Sequence, residues 1–288
     1  MGVLLALGSA LSYGLSDVAG GLASRRISFV HAAFLGQAGG LVATAVVVLI
    51  AAPTPATSGD LAWGAASGVG TGAAMTFLFR GISRGAMSLV VPLSAVGGVA
   101  LPVLVGAAFL GERPTGLTWI GVLIALPALW LMCRSTDGPS HASRAAIIDG
   151  LVAGGGIALQ YLCLAQAGPA SGLWPILSGR GAALAVIVVA ALTLFRGATG
   201  RAARRELRAA PPSVLVLSLV AGVLAAVALT AYLFALRGEL LTVTVVLSSL
   251  YPVVPVVVGL LFLGERLRAA QVFGLAAALL ATTLIVLG

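Results

Sequence analysis

The sequence predicts an all-α membrane protein of ten transmembrane helices, arranged as two inverted five-helix repeats. Three observations lead there. The 288 residues are 60% hydrophobic and only 8% charged, with a mean hydropathy of +1.15. The apolar residues fall into ten long runs with short connections. Residues 102–113 (PVLVGAAFLGER) match residues 255–266 (PVVVGLLFLGER). A soluble domain averages about 25% charged residues, and a globule this apolar lacks the polar surface that keeps globular proteins dispersed. Lipid is therefore the main solvent of this chain.

A helix needs about 20 apolar residues to cross a hydrocarbon core of about 30 Å. The runs 2–22, 31–51, 60–80, 86–110, 115–133, 146–167, 172–195, 213–236, 241–263 and 267–287 meet that requirement. They are long and lack the alternation of barrel strands, so they read as helices. The first has no positive n-region, and Ser9, Ser12, Ser16 and Asp17 interrupt it, so it reads as a retained span rather than a cleaved signal. The fourth and ninth carry the equivalent prolines Pro102 and Pro255 in mid-span, where proline kinks a helix and frees carbonyls toward a cavity. The fifth follows Pro114, a residue suited to a first helical position. Only the connections 134–145 and 196–212 exceed a turn, so no soluble domain fits between spans. The units are then 1–133, a connecting loop at 134–145, and 146–288.

Composition removes whole classes of chemistry. The chain has no Lys and no Asn, which excludes a Walker-A lysine, a Schiff-base lysine and an Asn-linked glycan. His31 and His141 are far apart, and Cys133 and Cys163 lie in apolar runs, so neither a metal site nor a disulfide framework is expected, and no cofactor is implied. A pI near 11.0 reflects loop arginines rather than nucleic-acid binding. The odd-numbered connections hold most of them, including Arg25, Arg26, Arg84, Arg134, Arg201, Arg204, Arg205 and Arg208, while the even ones hold Arg113 and Arg237. Odd connections are therefore expected in the cytoplasm and both termini outside. Arg in place of Lys, with abundant Ala, Gly and Val, fits a GC-rich bacterial genome and a bacterial plasma membrane.

The self-match extends beyond the twelve residues: Arg84-Gly85 falls on Arg237-Gly238 and Gly121 on Gly274, with Gly2, Gly8, Tyr13 and Gly20 falling on Gly150, Gly156, Tyr161 and Gly168. Five spans per copy is an odd number, so the copies enter the membrane in opposite senses. Inverted repeats recur in secondary transporters, with the substrate site near the midplane between the halves.

The doubled PxxxGxxFLGER motif, each copy followed by a helix with a central Gly, resembles the EamA repeat of the drug/metabolite transporter superfamily. The opening LGSALSYGLSDVAGGLASRR is similar to a first helix of that family. The resemblance covers the whole chain. It implies a ten-helix carrier of small metabolites, a group that includes amino-acid exporters and, more distantly, nucleotide-sugar transporters.

Asp17 is the acid placed well inside a span, on one helical face with Ser9, Ser12, Tyr13 and Ser16. Two readings stand: it lines a wet cavity, or it pairs with Arg25 near the interface. Arg180 lies within the seventh span, and the resemblance implies that an Arg is common there. Gln37 is its counterpart in the first copy. Arg180 either binds a substrate carboxylate or serves as a structural cation that snorkels or bonds helix-end carbonyls. Tyr161, Ser248 and Tyr251 are further cavity candidates. Glu112-Arg113 and Glu265-Arg266 read as structural, an acid and a base complementing helix dipoles between consecutive spans.

The expected function is secondary transport of small metabolites: export of amino-acid-like or amphipathic compounds by alternating access, with a proton as a coupling ion and the bilayer and the solute as partners. A channel is the first rival, though it favours a ring of repeated polar residues. An intramembrane enzyme is the second, though it needs paired carboxylates or an activated nucleophile at depth. Substrate, direction and oligomeric state are left open.

Overall fold

The computed structural model describes residues 2–51, 56–85, 87–109, 115–133, 141–164, 166–194, 197–235, 250–265, 267 and 269–288. Among them the chain is all-helical. The helices are α1 (Gly2–Ser24), α2 (Phe29–Ala51), α3 (Ser58–Arg84), α4 (Met87–Phe109), α5 (Gly116–Cys133), α6 (His141–Leu164), α7 (Trp174–Leu194), α8 (Gly197–Ala209), α9 (Pro212–Ala235), α10 (Val253–Leu261) and α11 (Ala269–Leu287). Nine of them cover expected spans, with ends a few residues away. Part of the ninth span, including Ser248, lies outside the described residues, as do Glu112, Arg113 and Arg266. By length and composition, α1, α2, α6, α7 and α9 are each able to cross a membrane.

The connection 196–212 contains a helix, α8. Most of the ninth span before Leu250 lies outside the described residues, and the kink expected at Pro255 lies there with it. Pro255 itself follows a turn at Leu250–Pro252 and sits in the first turn of α10, where a missing N–H leaves no bond unmade. Pro102, by contrast, lies inside the continuous helix α4.

α3 is the centre of the bundle. Its 27 residues would run about 40 Å as a helix, and it packs most extensively against α6 and α7. Glycines permit this closeness. A Cβ on Gly70 would strike the Gly156 carbonyl of α6, and one on Gly68 would strike Gly179 of α7. α9 packs along α1 and crosses α2 in the same way, with Gly222 against Gly36 and Gly40. α5 and α11 pair at one side of the bundle, at Gly121 against Ala281 and Ile285.

Connections gather at two ends. Thr57 and Asp60 form a reciprocal cap at the start of α3, and the Asp60 carboxylate also accepts the Gly168 N–H at 2.7 Å. This ties the second connection to the sixth, the even end. At the odd end, Arg25 donates to the carbonyls of Ile82 and Gly85 and to Glu265, joining the first, third and ninth connections.

That junction explains the second copy of the repeated motif. Gly264 adopts φ 64°, a left-handed conformation that ends α10 and turns the chain. Gly259 leaves the space that the Glu265 carboxylate fills. Glu265 then accepts the N–H groups of Met87 and Ser88, each at 2.9 Å, at the start of α4. Glu265 is thus a helix-capping acid, and the helix that it caps is α4 rather than the helix that follows it.

A second ionic junction lies at the same end. Asp149 of α6 is 1% exposed and accepts from Arg80 Nε at 3.0 Å, from Arg80 Nη2, and from Arg84 Nη1 at 3.3 Å. The Arg80 guanidinium also stacks 4.3 Å from the Phe77 ring centre. Between these junctions lies a core of fully buried side chains, among them Leu78, Ile82, Met87, Val90 and Val91.

Candidate substrate cavity

A cavity opens at the middle of the bundle, lined by α1, α2, α3, α6, α7 and α9. The expectation was helices 1, 2, 4, 6, 7 and 9 counted as spans; the described wall has α3 and the eighth span, α9, and holds neither α4 nor the described part of the ninth span. The walls follow from the glycine crossings. Where α3 meets α6 and α7 with no side chain between backbones, the flanking polar residues Ser67, Thr71 and Gln160 are turned into the remaining space.

α1 supplies Tyr13, Ser16 and Asp17, one helical turn apart on one face. Ser16 donates to the Ala221 carbonyl of α9 at 2.7 Å and so fixes the rotation of α1. Ser9, on the same stripe, is fully buried outside the lining. Asp17 is 7% exposed, and no described cation pairs with it. The interfacial reading of Asp17 fails, because Arg25 is taken by Glu265.

Arg180 comes from α7, also 7% exposed. Its Nη1 donates to Gln37 Oε1 of α2 at 3.0 Å. It neither snorkels nor bonds a described helix-end carbonyl. Room for its guanidinium exists because residue 40 is glycine, whose Cβ would collide with Arg180. Arg180 and Asp17 line the same cavity and form no ion pair with each other.

Of the four tyrosines of the chain, Tyr13 lines the cavity, while the candidates Tyr161 and Tyr251 stand near it without entering the lining. The rings of Tyr13 and Tyr251 are 6.1 Å apart between centroids and tilted by 55°. Tyr161 and Tyr232 lie within electrostatic range of Tyr13, and Tyr161 within range of Asp17. Tyr161 itself is 45% exposed, and its neighbour Gln160 lines the cavity wall. Gln160, Ser67 and Thr71 were absent from the sequence-derived candidates. Their signal was available: each is an uncharged polar residue within an apolar run, a position that is costly unless it faces water or a partner.

The arrangement holds a carboxylate, a guanidinium, hydroxyls and the Tyr13 ring around one space, with packed side chains and two ionic junctions among the described residues of the odd end. Residues 1–134 match the model of the EamA-like transporter family, the family that the sequence resembles. No curated protein matches the chain. Ten solved chains match in structure. One, a crystal structure at 15% identity, covers 98% of this chain and 95% of its own length with a TM-score of 0.58, a likeness of fold alone. The chain is a multi-pass integral membrane protein.

Proposed function

We propose that this chain, with its EamA-like transporter unit at residues 1–134, is a secondary transporter that moves a small zwitterionic, amino-acid-like solute by alternating access, in the direction of export. The observation that carries the reading is the pair of opposite charges, Asp17 and Arg180, facing one buried cavity without neutralising each other. Two unpaired charges in a low-dielectric interior are costly. A solute with an ammonium and a carboxylate offsets both costs at once. The ammonium meets Asp17 among the tyrosine rings, and the carboxylate meets the two-pronged Arg180.

The ten-span inverted-repeat architecture is part of this proposal, with units 1–133 and 146–288. Packing supports it. Exchanging α1 with α6, α2 with α7, and α3 with α9 turns the α3–α6 contact into α9–α1 and the α3–α7 contact into α9–α2, and all four are among the extensive contacts of the bundle. Alternating access rests on the odd end, which holds a packed core and Glu265 and Asp149 with their arginines. Opening it requires these junctions to separate. The odd end is assigned to the cytoplasm on the arginine distribution, and Asp17 is assigned the proton of a coupled cycle.

The test is reconstitution in liposomes with labelled amino acids and, separately, organic cations. Saturable uptake accelerated by unlabelled amino acid on the far side supports the reading. Flux that shows no counterflow favours a channel, and transport of cations without a carboxylate removes the role given to Arg180.

A further inference from the structure

The helix α8 joins α7 to α9, each long and apolar enough to cross a membrane, and Pro211 and Pro212 open α9 directly after it. Its 13 residues are therefore held at the depth where two spans end. At 100° per residue, Arg201, Arg204, Arg205 and Arg208 stand at positions i, i+3, i+4 and i+7 of one stripe, and all four are exposed. The opposite face is occupied by protein: Ala203 is 4% exposed, and Leu207 and Ala210 pack on the core.

An interfacial helix ordinarily sinks its apolar face into the acyl boundary and leaves its basic face toward water. Here the apolar face is spent on the bundle, so the arginine stripe is what α8 turns outward at headgroup depth. We propose that this stripe is a binding surface for the headgroups of anionic phospholipids in the odd-end leaflet. A guanidinium matches a phosphodiester with two parallel hydrogen bonds, and each basic residue near an anionic surface adds attraction. Four on one face make α8 selective for lipid charge. The contact is also placed to matter mechanically, because α8 rests near the start of α2: Arg204 and Glu206 both lie within electrostatic range of His31.

The test uses the full chain in nanodiscs, with Cys133→Ala and Cys163→Ala, and a fluorophore on Ala209→Cys beside the stripe. Quenching by spin-labelled phosphatidylglycerol is compared with quenching by spin-labelled phosphatidylcholine. The expected result is a several-fold preference for phosphatidylglycerol, falling toward parity in about 0.5 M salt, where the screening length is a few ångströms. It should also fall toward parity when all four arginines are changed to Gln, and survive in part when they are changed to Lys. Soluble glycerol phosphate at millimolar concentration should not displace the lipid. Equal quenching by both lipids in the parent chain, a preference unchanged in the fourfold Gln variant, or efficient displacement by glycerol phosphate would each overturn the proposal. Should the fourfold variant fail to reconstitute, Glu206→Gln removes the anion flanking the stripe and must raise the preference. No rise would also overturn it.

Discussion

Arg180 and Gln37 meet in space: Arg180 Nη1 donates to Gln37 Oε1 at 3.0 Å, across 143 residues of sequence. The bond orients the guanidinium and leaves its other N–H groups for a ligand.

The first prediction concerns that cation. Arg180→Ala should abolish uptake of a zwitterionic amino acid while expression and melting temperature hold, and Arg180→Lys should recover only part, since an ammonium cannot form the two-pronged contact. Gln37→Ala frees the guanidinium and should raise KM more than it lowers kcat. Uptake kinetics in proteoliposomes decide this, and an Arg180→Ala variant with parent kinetics would make Arg180 structural.

Asp17 is predicted to carry the coupling proton. Asp17→Asn should lose the response of transport to an imposed pH gradient and retain exchange of labelled for unlabelled solute. Gradient-driven accumulation at the parent level in this variant would move the proton elsewhere.

A third prediction addresses the capping junction at the odd end. Burial pushes the Glu265 carboxyl up, but the Ser88 amide, the Arg25 guanidinium and the Met87 amide outweigh it and hold its pKa below the ordinary 4.5. An acid with a lowered native pKa stabilises above its unfolded pKa and loses that contribution as pH falls through its folded one. Glu265→Gln should therefore cost about 2 kcal/mol near neutral pH, the scale of hydrogen bonds to a charged group. The gap in melting temperature between parent and variant should narrow as pH drops below 4.5. If alternating access holds, the same variant should also raise labelling of a cysteine at Thr71 by an impermeant thiol reagent added from the odd side.

Glycine substitutions separate two physical causes. Gly264→Ala meets open space but must hold a left-handed φ, so a loss of about 1 kcal/mol is expected from the backbone alone. Gly222→Ala has an ordinary helical backbone, but its methyl would meet the Gly36 carbonyl, so about 1–3 kcal/mol of overpacking is expected. Thermal unfolding in detergent measures both.

Orientation is the fifth prediction. A reporter active only outside the cytoplasm, fused after Gly288, should be active. Gly288 lies against Thr115 and Thr118 at the even end, so a cytoplasmic result would place the whole even end inside.

The sequence by itself determined that this chain lives in lipid, where its helices run to within a few residues, and that its residues repeat. Hydropathy and span length are local quantities, dictated by what a bilayer demands of a single helix. It also placed Tyr13, Asp17, Gln37 and Arg180 in a cavity, because a polar group within an apolar run must turn away from lipid. Only the tertiary structure decided the partners. Nothing in the order of residues says that Glu265 caps α4 across the molecule, that Arg25 is thereby withheld from Asp17, or that Asp149, three residues into its expected span, is buried beneath two arginines. Partnership depends on which glycines let which backbones touch, and the 38 glycines of the chain offer far more crossings than the fold uses. The helical face of α8 was also legible as a spacing of arginines, but which face would be left outward depended on Ala203 and Leu207 finding the core.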